Sequence, residues 1–266
     1  MTALVRALCD NPSAFVIRLT WLDYVRRKDL YVVAVFMLLF LIATMTIRII
    51  GIRNDSTAIF LMSAGLTLSH VLAAILAASF SARTFPEEFE RGTLMPLMAK
   101  PIRRAEVLAG KLLACAGLAL GSYLLFVGLT LVAVPMTPGQ TWVALAQVTV
   151  LQLTGLALLS TMAMAISLYL PGVVTTLVVL LWYFGSGMVL NMIKDSLAPT
   201  HAASLAWADR LLSCLPDATL LLHTECFANG SGALGGGLFA GLLLYGAAWI
   251  GVFLFWANWR FARIRL

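Results

Sequence analysis

Six apolar stretches, near residues 30–50, 58–81, 108–134, 143–170, 173–193 and 238–257, are long enough to cross a lipid bilayer as helices. A bilayer core of roughly 30 Å takes about 20 helical residues. Inside lipid every backbone N–H and C=O must be satisfied within its own segment or a closed barrel, and the alternation of barrel strands is absent here. Composition agrees: 61% of the 266 residues are hydrophobic and 11% charged, where water-soluble domains carry about 25% charged residues. The sequence predicts one all-α integral membrane domain over 1–266. Residues 1–29 precede the spans, 30–193 hold the first five, 194–237 connect the fifth to the sixth at 238–257, and 258–266 form a tail.

The net charge is +6, and its placement reads as membrane topology rather than nucleic-acid binding. With residues 1–29, the connection after the second span and the tail on one side, only Arg48, Arg53, Lys194 and Arg210 of the 18 basic residues fall on the other. The positive-inside rule then puts both termini in the cytoplasm, which an even number of spans requires. Asp10, Asp23 and Asp29 interrupt the first 29 residues, so no cleavable signal peptide is expected there.

Ahead of the first span, Asn11-Pro12 makes a good helix start. Ala14, Ile17, Trp21 and Tyr24 then recur at helical spacing opposite Arg18, Asp23, Arg26 and Arg27. This predicts an amphipathic helix lying in the inner interface, because four charges within so few residues do not enter lipid cheaply. The external connection is apolar but broken by Pro216, with Leu205, Trp207, Leu211, Leu212, Leu215 and Leu220–Leu222 around it, which suits short helices on or dipping into the outer leaflet. Gly230–Gly237 reads as a hinge into the last span.

The connection expected at 83–107 is the densest stretch in chemistry. It reads Phe85-Pro86-Glu87-Glu88-Phe89-Glu90-Arg91-Gly92-Thr93-Leu94-Met95-Pro96-Leu97-Met98-Ala99-Lys100-Pro101-Ile102-Arg103-Arg104, then Glu106 and Gly110-Lys111. Pro96 and Pro101 punctuate helices, while Leu94, Leu97 and Met98 share a helical face. An apolar face with charged flanks on the cytoplasmic side suits docking to a soluble partner; a charged loop that only fixes topology accounts for the residues equally well.

The pattern of Glu88, Glu90, Arg91, Gly92, Thr93 and Leu94, then Pro101 and Arg104, then Gly110-Lys111, resembles the ABC-2 type permeases of ABC transporters. It departs from the family's usual pattern at Lys100, where a small or polar residue is common. The resemblance implies six spans with an amphipathic N-terminal helix. It implies a cytoplasmic coupling helix between the second and third spans, carried by Glu87, Glu88, Glu90, Arg91, Gly92, Thr93, Leu94, Pro101 and Arg104, and short external helices between the fifth and sixth. It further implies a separate ABC ATP-binding subunit that holds the ATP and magnesium, a second permease copy, and a place in the bacterial cytoplasmic membrane, often as an exporter. The chain has no Gly-x-x-x-x-Gly-Lys-[Ser/Thr] phosphate loop, so it is not expected to bind a cofactor or hydrolyse ATP itself.

Other signals carry less. Gly230-Ser-Gly232-Ala-Leu-Gly235 matches a dinucleotide fingerprint but follows no strand. Gly117/Gly121 and Gly237/Gly241 allow close helix approach, within the chain or to a second copy. His70 lies mid-span near Ser63, Thr67 and Ser69; it either belongs to a translocation pathway or is a neutral, hydrogen-bonded packing group, and packing is the plainer reading. Cys9 and Cys115 are expected on the reducing side or in lipid. Cys214 and Cys226 share the external connection, where they pair or stay free. His201 and His223 are too scattered for a metal site with them. Ser186 between glycines would need a nearby base, for which His70 is the one candidate in another span, so a serine nucleophile is set aside. A stand-alone channel or secondary transporter is the competing class, but no internal repeat or charged midplane helix supports it. The nearly uncharged interior leans toward lipidic or amphipathic cargo over small ions.

Overall fold

The computed structural model describes residues 31, 34–35, 37–39, 41–42, 45–46, 55–91, 104–134, 141–197, 216–222 and 233–263. Five long helices carry these residues: α1 (Asp55–Arg91), α2 (Arg104–Ala133), α3 (Trp142–Ser167), α4 (Gly172–Leu197) and α5 (Gly236–Arg263). They correspond to the second to sixth predicted spans, and each is long and apolar enough to cross a membrane. The described residues between 31 and 46 are helical as well, and none of the described residues is in a strand. The chain is an all-α, multi-pass membrane protein.

Packing follows the spread of small and large apolar residues. α3 is the most enclosed helix and α5 the most open. Small residues of α1 and α3, among them Ala73, Ala77 and Ala163, are fully buried, so the helices approach closely, while Phe80, Leu156 and Leu159 fill the space between. Leu125, Val132, Leu181, Leu244 and Phe255 stand mostly exposed on the outer faces. In water they would form an aggregation-prone surface; in a bilayer they are the correct face for acyl chains.

Polar side chains inside the bundle satisfy themselves locally. Ser69 and Thr130 donate to the carbonyls of Gly65 and Phe126 one turn back, at 2.7 and 2.9 Å, and their hydroxyls meet across α1 and α2 at 3.2 Å. The start of α3 is capped by Thr141, whose hydroxyl accepts from the Ala144 N–H at 3.2 Å. Gln147 pairs with the backbone of Leu234, donating to its carbonyl at 3.1 Å and accepting from its N–H at 2.8 Å. That pair ties the N-terminal ends of α3 and α5 together.

Three boundaries correct the sequence reading. The second span does not end at Ser81 with a loop from 83: α1 runs on to Arg91, through Pro86, and α2 begins at Arg104. The missing Pro86 N–H costs one backbone bond, but Thr84 and Phe85 are buried against neighbouring helices, and that packing keeps the extension helical. At 37 residues α1 is roughly 55 Å long, well beyond a bilayer core. The tail expected from residue 258 is instead the last turns of α5, which reaches Arg263. Cys115 faces neither lipid nor solvent: it is buried, and its Sγ lies 3.4 Å from the Thr84 hydroxyl.

Candidate functional site

At the end of the bundle where α1, α3 and α5 finish and α2 and α4 begin, the last turns of α1 pack against the rest of the fold. The anchor is Phe85. Its ring lies under the Lys111 ammonium of α2, 4.7 Å from the ring centre, and beside the Phe261 ring of α5, 5.2 Å away at 46°. All three side chains are buried to within 1%. A lysine enclosed this deeply needs electron-rich surroundings, and the aromatic face supplies part of them.

The same turn of α1 is gripped from the α3–α4 connection. A methyl group placed on Gly172 would come within 3.0 Å of the Arg83 side chain and 3.3 Å of the Ala82 carbonyl oxygen. Glycine thus lets α4 start in close contact with this part of α1, where a larger residue would push its neighbours aside by a few tenths of an ångström. One backbone extension is thus held by the first turns of α2 and α4 and by the last turns of α5.

Glu87 lies on this extension and is half-buried. Glu88, Glu90 and Arg91 continue its helical backbone, and Arg104 opens α2; their side chains, like Gly92, Thr93, Leu94 and Pro101, lie outside the described residues. The segment 92–103 thus springs from two helix ends, which Phe85 and Lys111 fasten together. Charge is segregated accordingly: of the basic residues on the five helices, Lys194 alone sits at the opposite end.

The second polar centre is inside the bundle. His70 of α1 is buried, and its Nε2 lies 3.0 Å from the Tyr183 hydroxyl of α4. Its ring stacks on Tyr183, with centroids 5.8 Å apart and planes 24° apart, and meets Tyr123 of α2 edge-on at 6.0 Å. The Tyr123 hydroxyl in turn donates to Gln152 Oε1 of α3. Gly155, one turn beyond Gln152, makes the room: a methyl there would lie 2.5 Å from the Tyr183 oxygen. Four helices are joined through one hydrogen-bonded, aromatic cluster. Nδ1 of His70 and Nε2 of Gln152 find no hydrogen-bond partner among the described residues.

At the opposite end, residues between the last two spans fold back onto the helices. A 3-10 turn, Ala218–Leu221, is capped by Asp217, whose Oδ1 accepts from the Thr219 N–H at 3.0 Å, the Thr219 hydroxyl at 2.6 Å and the Ser186 hydroxyl at 3.3 Å. Tyr245 of α5 accepts from the Asp217 N–H at 2.7 Å, and Trp182 donates to the Pro216 carbonyl at 3.2 Å. Ser186 is therefore engaged with Asp217 and the Ala218 N–H, and the histidine of the bundle pairs with a tyrosine instead. Cys214, Cys226, His201, His223 and Gly230–Gly232 lie outside the described residues. No cluster of metal-ligating side chains occurs among the described residues.

A family model described as ABC-2 family transporter protein matches residues 21–266. The chain belongs to this family. No curated protein matches the chain. The family match spans the basic end, the buried His70 cluster and all five helices, so the whole architecture is that of a membrane transport component. Sequence reasoning found the stretch that carries the family resemblance but missed its anchors Phe85 and Phe261 as a pair. It also missed Tyr123, Gln152 and Tyr183, although hydrogen-bonding side chains inside apolar spans are themselves a signal.

Proposed function

We propose that this chain is the permease subunit of an ATP-driven ABC exporter in a bacterial cytoplasmic membrane. It makes six spans with both termini in the cytoplasm and pairs with a second permease copy. Residues 87–104, from the end of α1 to the start of α2, carry a coupling helix that seats on a separate ABC ATP-binding subunit, which holds the ATP and magnesium. The amphipathic N-terminal helix lies in the inner interface. His70 serves to join helices, and the apolar interior favours amphipathic or lipidic cargo.

The observation that carries this reading is the fastening of α1 and α2 on either side of residues 92–103. Because Phe85, Lys111 and Phe261 interlock, a push on that segment reaches α1, α2 and α5 together instead of bending a loose loop. The segregation of basic residues to this end supports its cytoplasmic placement.

Two measurements test the placement and the partner. A single cysteine at position 95 should label only from the cytoplasmic side of sealed vesicles, and an ABC ATPase should copurify with the chain. Labelling from the outside refutes the reading. Copurification that survives deletion of 92–103 removes the coupling role of that segment.

A further inference from the structure

We propose that the last two turns of α5, with Tyr169, bind the phosphate of an anionic phospholipid headgroup in the cytoplasmic leaflet. Two arginines there are held on aromatic faces. The Arg260 guanidinium lies 4.8 Å over the Tyr169 ring, and the Tyr169 ring packs tilted beside Trp256 at 5.4 Å and 31°. The Arg263 guanidinium lies 3.9 Å over the Trp259 ring. The pairs 256/260 and 259/263 each sit one helical turn apart, so they form adjoining ridges at one membrane level.

Neither guanidinium has a carboxylate partner among the described residues. A guanidinium seated over a ring still has N–H donors to offer an oxyanion, in the forked geometry that suits phosphate. Tyrosine and tryptophan place this edge at headgroup depth, where one side of each ring is apolar and the other wet. Tyr169, Trp256 and Trp259 are all about two-fifths exposed, at 46%, 37% and 45%. They lie on or beside the most open helix of the bundle. The charge fits one occupant, an anionic lipid. A zwitterionic lipid would satisfy the phosphate contact but lose the net attraction.

The inference rests on the permease reading only for the statement that this end is cytoplasmic; headgroup binding itself needs no ATPase. The test uses the full chain in nanodiscs and in detergent doped with phosphatidylglycerol or phosphatidylcholine, with bound lipid counted by native mass spectrometry. The wild type should retain phosphatidylglycerol over phosphatidylcholine on the order of ten-fold, given the attraction of two arginines near a surface. Arg260→Gln with Arg263→Gln should bring the two lipids to parity, while thermal unfolding in phosphatidylcholine stays as in the wild type. Arg260→Lys should keep the preference for negative charge but weaken it. Equal retention by the wild type, or an unchanged preference in the double variant, overturns the proposal, as does protection of Trp256 and Trp259 by a second copy of the chain. A double variant that fails to fold transfers the decision to Tyr169→Leu with Trp259→Leu, which must lower the preference with both charges still present.

Discussion

Phe85 and Lys111 stand on different helices, 20-odd residues apart in sequence, yet the lysine ammonium lies 4.7 Å over the phenylalanine ring with both side chains buried. The contact closes the base of the connection that carries the family signature. Replacing Phe85 by leucine keeps the volume nearly filled and removes the aromatic face. It should lower stability by about 1–2 kcal/mol, the range for a desolvated cation–π contact with some packing loss. Phe85→Ala should cost about 3–5 kcal/mol. Thermal unfolding of the purified chain in detergent measures both, and equal, negligible losses would show that the ring is not an anchor.

The His70–Tyr183 bond predicts a coupling of modest size. Tyr183→Phe leaves His70 without its partner and should destabilise the bundle by about 1–2 kcal/mol. Adding His70→Phe should cost little more, because both polar groups are then gone. A double-mutant cycle should return a coupling of about 0.6–1.7 kcal/mol, the range for hydrogen bonds inside membranes. Additive losses would mean that the two side chains act separately.

Gly155 predicts a suppressor. Gly155→Ala puts a methyl group 2.5 Å from the Tyr183 oxygen and should cost about 1–3 kcal/mol by overpacking. Tyr183→Phe removes the oxygen that clashes, so the double variant should recover part of the loss. Expression level and unfolding temperature read the recovery; a double variant worse than the sum of the two changes contradicts the geometry.

Much of this architecture was legible because the bilayer imposes a length and a hydropathy that sequence shows directly. The second to sixth predicted spans and the five long helices coincide over most of their length. The failures lie at the ends. Pro86 and the charges after it marked a loop on local rules, yet burial of Thr84 and Phe85 carries the helix to Arg91. Residues 258–263 read as a tail because Arg260 and Arg263 are charged, although aromatic partners at Tyr169 and Trp259 let them stay on the helix. The polar cluster around His70 was half legible. His70 stood out as ionisable, whereas its partners come from three other helices that no spacing rule brings together. Cys115 illustrates the same limit, since helix rotation, not sequence, decides whether a residue meets lipid or protein.

The turn at Asp217 predicts a local effect. Asp217→Ala strips three acceptor contacts from a four-residue 3-10 turn, and should destabilise that turn by about 1–2 kcal/mol, as for the loss of a helix cap. Protease cleavage within 216–222 should rise in intact membranes while the unfolding temperature of the bundle barely moves. A large global loss would instead make Asp217 part of the core.

On the proposed permease reading, residues 87–104 pass mechanical work from a separate ATPase to the bundle, and ATP hydrolysis by the copurified complex reads that coupling. Glu88→Lys, Glu90→Lys and Arg91→Glu together should reduce hydrolysis to the rate of the ATPase subunit alone, with the permease still inserted in the membrane and folded. Hydrolysis and transport at wild-type rates in that triple variant would contradict it.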